Sequence, residues 1–64
     1  METEWIPVQI RDTRVKAIQV RLHNDRDVWI PRSLIEDVSQ DVYAIFDHIE
    51  IELPVWFAEK EGLV

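Results

Sequence analysis

Apolar and polar residues alternate along three stretches of this chain, and that alternation predicts strands. Ile6, Val8 and Ile10 share one face of Trp5–Arg11. Ile18, Val20 and Leu22 do the same within Val15–Leu22, and Ile49, Ile51 and Leu53 enclose Glu50 and Glu52 in the third stretch. Pro7 has no N–H to give to a ladder, so the first strand reads as an edge strand or a strand start. Asp12-Thr13 reads as a tight turn, because Asp accepts local backbone hydrogen bonds. His23-Asn24-Asp25-Arg26 is the strongest turn signal, since Asn and Asp tolerate left-handed backbone. Asp27–Ile30 then returns as the antiparallel partner of the second strand.

Pro31 stops that strand. Ser33-Leu34-Ile35-Glu36 has the spacing of a capping box and predicts a single helical turn running toward Val38. Ser39-Gln40-Asp41 is a polar connection. Val42, Ile45, Phe46 and Ile49 fit helical spacing, yet Val, Tyr, Ile and Phe favour strand. Residues 42–46 are therefore read as a strand joined to the next at Asp47-His48. Pro54 ends the last strand and suits the first position of a helix over Val55–Glu61. Gly62 suits the left-handed residue after it, with Leu63 folding back. Trp56 and Phe57 read as its core residues.

The expected fold class is α+β, a single domain over residues 1–64 without repeat or linker. Five short strands form a strongly bent antiparallel sheet, or an SH3-like or OB-like partial barrel. A one-turn helix follows the third strand and a short helix ends the chain.

Composition sharpens this picture. The chain has 64 residues, 47% of them hydrophobic, and 0 Cys, so neither a disulfide nor a thiolate metal site supports the core. A single Gly removes any glycine-rich phosphate loop. Met1 is followed by Glu2, Thr3 and Glu4, which is not the start of a secretory signal, and no apolar run approaches the roughly 18 residues of a membrane span. The expected location is the cytoplasm. Charge is uneven. Residues 1–35 hold six cations against five anions, or +1; residues 36–64 hold Lys60 against eight anions, or −7, giving the net −6. Such asymmetry bears on partners rather than on fold.

Four kinds of site compete. Asp47-His48-Ile49-Glu50 and His23 are the metal candidates, but strand alternation leaves two ligands at most on one face, short of a closed site. No metal or cofactor is expected. Ser33 and Ser39 lack the base and pocket that a nucleophile needs, so no enzyme is expected. Arg11, Arg14, Lys16, Arg21, Arg26 and Arg32 with Trp29 suggest a stacking surface for nucleic acid. The net charge opposes it, because phosphate neutralisation dominates such binding. Glu36, Asp37, Asp41, Asp47, Glu50 and Glu52 offer a negative face that fits a basic groove, or serve as solubilising charge. Trp29 and Arg32 join these six as candidate partner-binding residues. Trp5 and Trp29 lie out of phase with their inward neighbours, so at least one is expected to be exposed.

Trp29-Ile30-Pro31-Arg32-Ser33-Leu34-Ile35, together with Leu53-Pro54-Val55-Trp56-Phe57-Ala58-Glu59-Lys60-Glu61-Gly62-Leu63-Val64, resembles a group of small uncharacterised phage and prophage proteins. The shared pattern is Trp-aliphatic-Pro-x-Ser-x-aliphatic, then Pro-x-Trp-aliphatic-Ala, a Lys and Gly-Leu, across roughly the last two-thirds of the chain. The resemblance implies a phage or mobile-element setting. The expected function is a non-enzymatic interaction protein. Its sharper form is an anti-CRISPR-like inhibitor that occludes a basic surface of a host nucleic-acid-handling protein. The alternatives are an OB- or SH3-like nucleic-acid accessory module and a structural homodimer.

Overall fold

A computed structural model of the chain describes residues 2–22 and 24–63. It contains β1 (Thr3–Thr13), β2 (Ala17–Arg21), β3 (Asp27–Pro31), a 3₁₀ turn (Arg32–Leu34), β4 (Asp37–Val38), β5 (His48–Pro54) and α1 (Val55–Lys60). All pairings are antiparallel, in the order β3-β2-β1-β5-β4. This is the small α+β architecture expected, but the sheet is open, neither closed nor strongly curled. The barrel-like closure is thereby corrected, since β3 and β4 stay unpaired to each other at opposite edges.

β1 organises the sheet by changing partners along its length. Residues Thr3–Gln9 pair with β5, while Gln9–Thr13 pair with β2. Gln9 belongs to both ladders, and the register slips between Ile10 and Asp12. An extra residue there, Arg11, bends and twists the strand where it leaves one partner for the other. Pro7 thus sits within a central strand, not at an edge. The bonds Ile10 N–H to Asp47 O (2.9 Å) and Val55 N–H to Glu2 O (3.0 Å) turn the even-numbered residues toward β5. Odd-numbered Pro7 faces the other way, beyond the first β2 pair at Gln9, so no ladder bond is lost.

The three alternating sets occupy the core face as read. Ile10, Ile18, Val20, Ile30, Ile51 and Leu53 are fully buried, with Ile6, Val8, Leu22, Val28 and Ile49 beside them. Phe57, Ala58 and Leu63 cover this face, helped by partly buried Leu34, Ile35, Val38 and Tyr43. Gly62 has φ +70°. Leu63 N–H bonds Ala58 O (2.7 Å) and Gly62 N–H bonds Glu59 O (3.2 Å), which is the Schellman closure, with Leu63 folded back into the core.

Several local expectations give way. Asp12 does accept Thr13 N–H (2.8 Å), but the β1–β2 turn lies one step later, closed by Arg14 N–H to Ala17 O (2.8 Å). In the next turn Asp25 takes φ 62°, as its type allows; His23 lies outside the described residues. The capping box is replaced. The 3₁₀ turn begins after Pro31, makes no side-chain cap bond, and Glu36 N–H bonds Glu52 O (2.8 Å) in the sheet instead. Residues 42–46 are not a strand. They form a loop with exposed Val42, Ile45 and Phe46, and Phe46 takes φ 76°. The fourth strand is instead the two-residue β4. Pro54 caps α1 from the end of β5 rather than opening it. Trp56 is 52% exposed, because a helix of six residues presents one stripe to the core and Phe57 and Ala58 fill it. Its ring packs edge-on against Phe57 (5.8 Å between centroids).

Truncating Ile51 to Ala should cost about 2–5 kcal/mol, comparable to the whole stability of about 3–5 kcal/mol that so small a core supplies. Ile51→Ala is therefore expected to be largely unfolded in water, while Val42→Ala changes stability by less than about 0.5 kcal/mol. Urea titration followed by circular dichroism reads both, and a wild-type midpoint for Ile51→Ala would contradict this packing.

Candidate functional site

With one set of strand residues buried, the alternate set forms the outer face of the sheet. At the β5–β4 end, Trp5 stands opposite Glu52, Pro7 opposite Glu50, and Asp37 opposite Glu52 from the other side. Glu52 therefore lies between a half-exposed indole (Trp5, 44% exposed) and a second carboxylate. The Thr3 hydroxyl donates to Glu52. Like charges placed directly across a sheet destabilise it modestly. Among the described residues no cation forms an ion pair with Glu36, Asp37, Glu50 or Glu52. Thr3, Glu36, Asp37 and Glu52 line one shallow polar depression.

The other two acids fall elsewhere. Asp41 is exposed in the 39–47 loop. Asp47 Oδ2 accepts Ala44 N–H (2.9 Å) while Asp47 N–H donates to Ala44 O (3.0 Å), so this carboxylate closes a turn. The six acids read from sequence thus separate into four at the β4–β5 edge and two on the loop. Trp29 lies on β3, at the far edge of the sheet, and is not brought to the acids.

The cations are held differently. Arg21 Nε meets Asp27 Oδ1 at 2.8 Å, and Arg14 meets Asp12 at 3.2 Å. The Arg14 guanidinium also lies 5.7 Å from the centre of the Trp29 ring. Arg11 lies 4.9 Å from the centre of Phe46. Arg32 donates to Arg14 O (2.9 Å) and to the Tyr43 hydroxyl (3.2 Å), tying the β1–β2 turn to the 39–47 loop. Arg32 therefore acts as a clasp in the fold. Four of the five arginines are engaged within the chain, and Arg14 partly covers the Trp29 ring.

His48 and Glu50 share the outer face, and Asp47 belongs to the turn before it. Among the described residues no three His, Asp or Glu side chains gather as a metal-binding group, and His23 lies outside that set. Trp5 was legible only as a tryptophan out of phase with its neighbours. Its placement against Glu52 depends on a register that sequence does not show. No family model, curated protein or solved structure matches the chain.

The Arg21 hydrogen bond, aided by its charge, holds the Asp27 carboxyl below its ordinary value, and the same contact raises Arg21. A lowered carboxyl contributes stability above its unfolded pKa and loses it as pH falls through the folded value. Carbon-detected titration should place Asp27 below an ordinary aspartate, and Arg21→Gln should move it back up. An Asp27 midpoint unchanged by Arg21→Gln would show that the pair does not form in solution.

Proposed function

We propose that this chain is a non-enzymatic interaction protein that docks on a basic surface of another protein through the acidic edge around Trp5. The observation that carries this reading is an imbalance in partners. Arg11, Arg14, Arg21 and Arg32 are engaged within the chain, whereas among the described residues Glu36, Asp37, Glu50 and Glu52 form no ion pair, and Glu52 stands directly opposite the exposed indole of Trp5. A half-exposed Trp with a carboxylate directly opposite it suits a Lys/Arg surface twice over. The indole face attracts a cation, and the acids steer its approach. Trp residues are also frequent anchors of interfaces.

The phage-like ends of the sequence give the reading its biological direction. A surface built to hold nucleic acid is basic, and an acidic protein that occupies it blocks the nucleic acid. An anti-CRISPR-like inhibitor of a host nucleic-acid-handling protein in the cytoplasm is the specific form proposed. The nucleic-acid-binding alternative is weakened by the engagement of Arg14 over Trp29, which leaves less open ring for a base to stack on.

Affinity capture from a host lysate supplies the partner, and stopped-flow mixing then measures association. Glu50→Lys with Glu52→Lys should slow association roughly tenfold at low salt, with the difference shrinking as salt screens the charges. An unchanged low-salt rate would remove the acidic edge from the mechanism. Capture of nucleic acid rather than protein, abolished by Trp29→Ala, would establish the alternative.

A further inference from the structure

β1 is paired on both sides only where β2 reaches it. The last β1–β2 pair sets Gln9 opposite Arg21. The chain then turns away, with Asp25 N–H closing on Leu22 O (3.0 Å). Thr3–Val8 is paired with β5 on one side, and among the described residues no strand pairs with it on the other. The even-numbered residues point toward β5, so Thr3 and Trp5 present N–H and C=O to the open side and Pro7 presents C=O alone. Backbone left unpaired in this way is a template for an added strand. The edge at β4 is a poorer one, being two residues long with its Val38 N–H already bonded to Asp37 Oδ1 (2.8 Å).

The surroundings of Thr3–Pro7 set the chemistry of a strand that fits there. Residues 2–8, 36–38 and 48–54 form this end of the sheet and hold Glu2, Glu4, Glu36, Asp37, Glu50 and Glu52 with no Lys or Arg. Among the described residues none of these acids forms an ion pair. A residue added opposite Trp5 lies on the outer face beside the half-exposed indole, with Glu52 on the indole's far side. A cation there gains both the ring and the carboxylate. The next residue, on the other face, lies beside exposed Glu4 and favours a second cation. The residue before it lies beside Ile6 of the core and favours an aliphatic side chain. A second copy of this chain brings the same six acids and is repelled.

We propose that the open side of β1 at Thr3–Pro7 takes an extended basic segment of the partner as an added antiparallel strand, with the order aliphatic-cation-cation opposite Ile6, Trp5 and Glu4. This rests on the docking reading above and deepens it: the partner contributes a strand as well as a charged surface. Backbone hydrogen bonds to Thr3, Trp5 and the Pro7 carbonyl hold the strand, and the acids select its charge.

The probe is the capped peptide Lys-Thr-Val-Arg-Lys-Thr-Lys, with two forms of equal charge methylated on backbone nitrogen. One is methylated at both Thr and the Arg, whose N–H groups face β1; the other at Val and the central Lys, whose N–H groups face away. Hydrogen exchange and Trp fluorescence are followed up to about 5 mM peptide, because a short segment binds weakly while it bears its own ordering cost. The unmodified and outward-methylated peptides should bind alike and slow exchange of the Thr3 and Trp5 amides, and the inward-methylated form should bind at least about tenfold more weakly. Equal binding of all three would overturn the added strand and leave the docking reading standing, since charge alone would then suffice. No binding of the unmodified peptide would also overturn the strand, and the Glu50→Lys, Glu52→Lys association rates would still judge the docking reading by themselves. Protection of Thr3 and Trp5 that rises with protein concentration without peptide would place a second copy on this edge and refute the proposal.

Discussion

β1 is the joint through which the two halves of this sheet are held together. Without it, β3-β2 is an isolated hairpin and β5-β4 a strand with a two-residue neighbour, and two-stranded units are marginal in water. Its first half pairs with β5 and its second with β2, with Arg11 as the extra residue at the bend. Chain ends and middle meet on this strand. The functional consequence is a divided outer face: the internally paired arginines lie at one end of the sheet and the unpaired carboxylates at the other, with β1 running between them.

The core is small and its stabilisation correspondingly local. Every described buried side chain is apolar, so hydrophobic burial dominates and no buried ion pair complicates it among the described residues. Without cysteines, closure of the C-terminus falls to the Gly62 turn, which returns Leu63 to the sheet. A side chain at Gly62 would be strained at φ +70° and would approach Arg26 Nη1 to 3.2 Å. The Arg32 contacts provide a second clasp, drawing the β1–β2 turn, the 3₁₀ turn and the 39–47 loop together. The carboxylates of the proposed acidic edge make lighter contacts, Glu52 accepting from the Thr3 hydroxyl and Asp37 from Val38 N–H. Glu50 and Asp37 are exposed, which is what a surface kept for another molecule requires.

Much of the fold was legible because period-two alternation survives in the strands that bury one face: Ile6/Val8/Ile10, Ile18/Val20/Leu22 and Ile49/Ile51/Leu53. Gly62-Leu63 was equally readable, as only glycine enters the left-handed region without cost. β4 was not, since two residues carry no periodicity and its existence depends on the β5 groups that bond Glu36 and Ser39. Val42–Phe46 misled for the opposite reason. Its β-rich composition reflects local contacts rather than pairing, with Phe46 beneath Arg11 and Tyr43 packed against the rim of the core while receiving Arg32. Ser33 and Glu36 matched a capping pattern, but the sheet claimed the Glu36 amide. The acids of the candidate site could be counted in the sequence. The meeting of four of them at the β4–β5 edge, with Glu52 opposite Trp5, could not, because it follows from the β1–β5 and β4–β5 registers.

Native-state hydrogen exchange under increasing denaturant tests the role of β1 most directly, at two adjacent amides. By the alternation of the strand, Val8 donates toward β5 and Gln9 toward β2. If β1 unites the halves, both amides exchange through one global opening, with the same free energy and the same denaturant slope. Exchange of Gln9 through a shallow, separate opening while Val8 stays protected would show two independent halves and contradict the account.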